Sequence, residues 1–214
     1  AGSSPNFGQI SFEKIGQIQF ARSSTHLIDQ TIQTIKTGCE VNVNSGGFQL
    51  SSNSAYTTNE LNVKPGGALA LNNYQLLSNL RYTQCSAFID SSATLKTGKP
   101  QGLYDGTVNG AINPSGNLSF NLHAKSVIEY NGYLNQSVTG YATPGIFTNK
   151  KYGILRINLR GTNNIANTGL NVYVRTELEL NRGELNLNQN KSILDFVKSK
   201  KNNITSSTNI DSIL

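Results

Sequence analysis

Hydrophobic and polar residues alternate at every second position along much of this chain. From residue 170 to 180, Leu170, Val172, Val174, Thr176, Leu178 and Leu180 share one parity, and Asn171, Tyr173, Arg175, Glu177 and Glu179 share the other. A period of two sends successive side chains to opposite faces of a strand, so this stretch predicts a half-buried strand. Residues 152 to 159 repeat the pattern, with Gly153, Leu155, Ile157 and Leu159 on one face. Shorter alternating runs predict strands near residues 40–44, 48–51, 60–63, 68–71 and 80–89. Ser45-Gly46-Gly47 and Pro65-Gly66-Gly67 read as turns between them.

The turn signals carry the expected topology. Asn131-Gly132 lies between runs at 126–130 and 133–138 and predicts a tight hairpin, as does Asn113-Pro114-Ser115-Gly116 between 107–112 and 117–124. Arg182-Gly183 is expected to turn the 170–180 strand into a partner at 184–188. Two segments have a different rhythm. Ile28, Ile32 and Ile35 fall at helical spacing between Ser24 and Gly38. Ser192 and Asp195 make a capping-box-like start to an apolar run through Ile193, Leu194, Phe196 and Val197. The resulting expectation is an all-β chain: an antiparallel β-sandwich, immunoglobulin-like or jelly-roll, with one or two short helices. Its divisions are an N-terminal strand arm over 1–22, the sandwich over 23–190, and a helix and tail over 191–214. No internal repeat at a fixed period is visible.

Composition narrows the chemistry. Asparagine accounts for 28 of 214 residues, against two His, two Cys and twelve Asp and Glu together. His26 and His123 have no nucleophile elbow near them in sequence. No metal-ligand spacing occurs, Asp90 and Asp105 are isolated, and Glu177 with Glu179 reads as a solvated strand face. No catalytic, cofactor-binding or metal-binding residues are assigned, and the expectation is a protein without enzymatic activity. Nine tyrosines are better suited to recognition, and Tyr130, Tyr133 and Tyr141 bracket the Asn-Gly turn, where a glycan or partner could stack.

The net charge is +6, yet the positive residues are mostly single apart from Lys150-Lys151 and Lys198, Lys200 and Lys201. That spread predicts no nucleic-acid partner. No run of apolar residues is long enough to span a membrane. Cys39 and Cys85, the only cysteines, suggest a single disulfide closing a loop of 46 residues, worth about 3–4 kcal/mol in the chain-entropy model. Two separate buried thiols are the alternative. With the start at Ala1, the cysteine pair favours a secreted chain whose signal peptide has been removed, placed outside the cell or on its surface.

Ile10, Phe12, Ile18 and Phe20 form an alternating arm ahead of Cys39. A cysteine pair, Asn-, Gly- and Thr-rich strands, and a late Thr143-Pro144-Gly145-Ile146-Phe147 follow it. Over residues 7–159 this order resembles secreted fimbrial subunits with immunoglobulin-like folds. The resemblance implies a filament without catalysis, in which the arm donates a strand to a neighbouring sheet. The expected function is thus a structural, adhesive subunit of an extracellular filament or pilus, with other copies of itself as partners and Ile10, Phe12, Ile18 and Phe20 at the subunit interface. The alternative is a β-sandwich that binds surface glycans or a receptor, as an adhesin, a lectin or a viral surface or capsid protein.

Overall fold

Alternation says which side of a strand is buried, but it leaves open which way the neighbouring strand runs. The computed structural model settles this over residues 17–20, 30–32, 40–43, 46–50, 60–77, 84–104, 109–113, 117–140, 151–169, 171–187, 192–194 and 210–212, which are the residues it describes. In chain order the strands are β1 (Gln17–Phe20), β2 (Gln30–Ile32), β3 (Glu40–Val43), β4 (Gly46–Leu50), β5 (Glu60–Val63), β6 (Gly67–Ala70), β7 (Leu76–Leu77), β8 (Gln84–Ile89), β9 (Thr94–Thr97) and β10 (Ile112–Asn113). They continue with β11 (Asn117–Leu122), β12 (Val127–Tyr130), β13 (Gln136–Val138), β14 (Tyr152–Asn158), β15 (Ile165–Thr168), β16 (Val172–Arg182), β17 (Glu184–Asn186), β18 (Ser192–Leu194) and β19 (Ile210–Ser212).

Every pairing among these strands is parallel. The nine-stranded sheet runs β2-β4-β6-β9-β12-β14-β16-β18-β19, in unbroken chain order, and a five-stranded sheet runs β1-β3-β5-β8-β11. Of the smaller sheets, one pairs β7 with β10 and the other runs β13-β15-β17. From β2 to β18 the chain leaves the long sheet, passes through another sheet, and returns one strand further along. That path is a coil that stacks on its predecessor, a parallel β-solenoid.

The antiparallel sandwich is therefore overturned, immunoglobulin-like and jelly-roll forms alike. The hairpins fail with it. Asn131-Gly132 bends the chain between β12 and β13, while β12 pairs with β9 and β14. β11 pairs with β8 and not with the strand before it, and β16 pairs with β14 and β18. Turn residues mark changes of direction equally well at a solenoid corner, where the next strand belongs to another face. No helix occurs among the described residues. Gln30–Ile32 and Ser192–Leu194 are strands, although both fall within the stretches expected to be helical. A backbone paired in a sheet gains ladder hydrogen bonds that outweigh a few tenths of a kcal/mol of helical preference.

The missing sequence repeat also has a physical cause. Gly46 stands opposite Gly67, 21 residues on, whereas Thr94 stands opposite Val127, 33 residues on. Register is kept strand by strand, and the corners absorb the difference in length. Within the coils, Leu69, Leu95, Ile128, Leu155 and Leu178 stack in one column of the long sheet, all buried. Across from them Leu61, Ala87 and Phe120 form a second column, and Val63, Ile89 and Leu122 a third. Burying one such Leu or Ile contributes about 2 kcal/mol, so the columns hold the coils in register.

Candidate functional site

Three coils in the second half of the chain turn from the long sheet toward the β13-β15-β17 sheet, and their corners differ in length. After β12 the corner is residues 131–135, after β14 it is residues 159–164, and after β16 it is Gly183 alone. A single residue can make this corner because Gly183 adopts φ +91°, a region that L side chains rarely enter. Leu159 Cδ1 would also lie 2.9 Å from a Cβ placed there. The six-residue corner above this tight one projects beyond it and leaves a notch. The result is an open cleft of about 710 Å³ whose lining includes Arg160, Thr162, Asn163 and Asn164 on one wall, with Arg182 and Glu184 flanking Gly183.

Backbone bonds between coils fix the corners to one another. Arg160 N–H donates to Gly132 O at 2.7 Å, Leu159 N–H to Arg182 O at 2.9 Å, and Glu184 N–H to Asn164 O at 3.1 Å. The Asn135 side chain joins them by accepting from Ile165 N–H at 2.9 Å. Asn163 has φ +57°, which asparagine tolerates better than most residues. Any Cβ at Gly161 would collide with the Asn164 amide and with Tyr133 O. The Asn164 Nδ2 atom is buried and lacks a hydrogen-bond partner. Beside this wall Tyr133 and Leu134 are each 63 % exposed, and the Arg160 guanidinium carbon lies 5.6 Å from the centroid of the Tyr133 ring.

A buried polar cluster stands behind the corner. Gln136 donates from Nε2 to Thr97 O at 3.1 Å and to Lys99 O at 2.9 Å, while its Oε1 accepts from Gly132 N–H at 2.6 Å. Tyr130 and Tyr152 place their hydroxyls 2.9 Å apart. Thr139 N–H donates to the Tyr130 oxygen, and Tyr152 O–H donates to Thr139 O. Since the Tyr152 proton is already committed, Tyr130 O–H must be the donor between the two rings. Burial pushes both phenols up, and the neighbouring Tyr130 raises Tyr152 further, so neither ionises readily.

On the outer face of the long sheet, Lys96, Glu129, Arg156 and Glu179 stand opposite one another on four successive strands. Lys96 Nζ lies 3.2 Å from Glu129 Oε2, and Arg156 Nη1 donates to the same oxygen at 3.3 Å. Arg156 also grips Glu179 through Nε and Nη2, a two-pronged pair. Asn158 donates to Glu129 Oε1 at 3.1 Å. Burial pushes the Glu129 carboxyl up, but Lys96, Asn158 and Arg156 together outweigh it and hold the pKa below its ordinary value. Hydrogen bonding to Glu179 raises the Arg156 pKa against the opposing effect of burial. Satisfied in this way, the column is structural and leaves no carboxylate or ammonium idle for chemistry.

The residues singled out from sequence scatter. Ile18 and Phe20 lie on β1, which pairs with β3 of the same chain, while Ile10 and Phe12 lie outside the described residues. Cys85 is on β8 opposite Leu118 of β11, and Cys39 lies outside the described residues. His123 sits exposed at a corner, where Nδ1 accepts from Lys125 N–H at 3.0 Å; Asp90 pairs with Lys64 at 3.5 Å. His26, Asp105 and Tyr141 lie outside the described residues. Of the tyrosines around Asn131-Gly132, Tyr130 belongs to the core and Tyr133 faces out. Arg160, Arg182 and Asn164 carried no signal of their own, because their proximity depends on coil spacing. Among the described residues no three His, Cys, Asp or Glu side chains form a metal-binding group, and no helix is long and apolar enough to cross a membrane. No family model, curated protein or solved structure matches the chain, so its function has to be read from this geometry.

Proposed function

We propose that the chain is a recognition module of an extracellular surface protein, a β-solenoid that binds carbohydrate or a receptor through its second-half corner. The observation that carries this reading is a cleft lined by two unequal corners, with Arg160 and Arg182 exposed in it and Tyr133 and Leu134 exposed on the adjacent corner. An exposed aromatic ring, flanking guanidinium groups and amide and hydroxyl side chains are what a hydroxyl-rich ligand needs. The scaffold suits the task, since residues on a rigid stack keep their spacing when a ligand arrives. A glycan array probed with the purified chain and with Tyr133→Ala tests this. Binding that Tyr133→Ala removes supports the reading; a blank array at high protein concentration counts against it.

Assembly into a filament by strand addition is a second reading, favoured by the free outer edges. Among the described strands β1, β2 and β19 each end their sheet, with one edge unpaired. Such an edge is a template for another copy. Sedimentation of the chain and of the Ile18→Asp, Phe20→Asp double variant tests it: polymers lost in the variant support assembly, and a monomer at every concentration sinks it.

A further inference from the structure

The cleft beside Gly183 also carries a charge preference. We infer that its ligand is an acidic saccharide, a sugar chain bearing carboxylate or sulfate groups, an inference that rests on the corner being a binding surface. Two exposed guanidinium groups, Arg160 and Arg182, line the cleft, against one opposing carboxylate, Glu184. Each guanidinium is a planar fork of N–H donors that matches a carboxylate or sulfate edge, which a lone ammonium does not. Tyr133 lies against Arg160 at 5.6 Å and so restricts where that fork points, which lowers the ordering cost when an anion docks.

The remaining lining points to a sugar and away from a peptide. Asn164 adds an amide side chain to the cleft wall, with its Nδ2 atom buried and without a partner. Thr162, Asn163 and Glu184 offer a hydroxyl, an amide and a carboxylate to ligand hydroxyls, and Arg160 N–H and Asn164 O are already used in bonds between coils. An extended peptide pairs with the main chain of a strand edge, whereas this cleft is walled mostly by corner residues. At about 710 Å³ the cleft accommodates a short oligosaccharide.

Titration calorimetry at low salt, using a heparin-derived tetrasaccharide, a tetragalacturonate and neutral maltotetraose, decides the matter. The acidic tetrasaccharides should bind, with Arg160→Gln and Arg182→Gln each weakening them about ten-fold or more. Lys125→Gln with Lys151→Gln should leave binding within about two-fold, because neither residue lines the cleft. If affinity instead follows Lys125 and Lys151, diffuse attraction to a basic protein explains it and the inference is overturned. Equal binding of a tetraglutamate peptide also overturns it, since charge alone would then be read. Neutral maltotetraose bound as tightly, and lost on Tyr133→Ala, overturns the acidic preference while the recognition surface stands. Silence from every ligand removes both.

Discussion

Two columns of side chains run along the same strands of the long sheet, one residue apart, and they do different work. Leu95, Ile128, Leu155 and Leu178 stack inside the coils, and Lys96, Glu129, Arg156 and Glu179 stack outside. The inner column tolerates any aliphatic sequence of suitable volume, because hydrophobic contact has no direction. Signs must alternate along the outer column. A coil slipped by two residues would keep leucines inside but leave Glu129 without its cations, so the charged column tells one register from another. Apolar burial supplies the stability, and the ion column supplies the alignment that sets the unequal corners side by side.

The comparison can be broken most forcefully from within. Leu155→Ala, at a site with no exposed surface, should lower unfolding free energy by about 3–4 kcal/mol, read as a shift in the urea midpoint. A loss below about 1 kcal/mol would mean that the inner column does not hold the coils together.

Glu129→Gln should cost about 2–3 kcal/mol, since it leaves Lys96 and Arg156 facing a neutral amide. Its pH dependence carries a sign. Because the Glu129 pKa is lowered on folding, its contribution is present above the ordinary carboxylate value and is lost as pH falls through the folded one. Denaturant titrations from pH 7 to pH 3 should therefore show a steeper acid loss in the natural chain than in Glu129→Gln. Parallel curves would detach the outer column from stability.

Tyr152→Phe should cost about 1–2 kcal/mol by stranding the Tyr130 O–H and the Thr139 carbonyl. Both phenol pKa values are raised on folding, so stability is complete below about pH 10 and falls above it, as the unfolded chain loses protons the folded one keeps. Tyr152→Phe should flatten that alkaline fall, measurable by chemical denaturation between pH 9 and pH 11.

Tyr133→Ala should have the smallest effect on stability, within about 0.5 kcal/mol, because the ring is largely exposed. It should nonetheless abolish glycan binding. A large loss of stability would mean that the Tyr133 ring holds the corner together, and that its exposure is no sign of recognition.

Strand content was legible where alternation was long. The parity read from residues 170–180 agrees with the buried Val172, Val174, Leu178 and Leu180 of β16, and Pro65-Gly66 does turn the chain between β5 and β6. Topology was not legible. Asn131-Gly132 carries the same local signal at a hairpin and at a solenoid corner, and only the partner of β12 distinguishes the two. The ion column escaped for a related reason: Lys96, Glu129, Arg156 and Glu179 are spaced 33, 27 and 23 residues apart, with no period to reveal them. The cleft escaped because a notch between a six-residue corner and Gly183 exists only after the coils are stacked.

By itself, then, the sequence determined that this chain builds strands, which of their faces are apolar, and how few reactive side chains it has. These are local properties, fixed by side-chain period and residue type. Tertiary structure alone decided that the strands run parallel, which charges meet, and which corner gathers Tyr133, Arg160 and Arg182. Each of those depends on the length of a coil, and coils come into register through contacts between residues 23 to 33 positions apart.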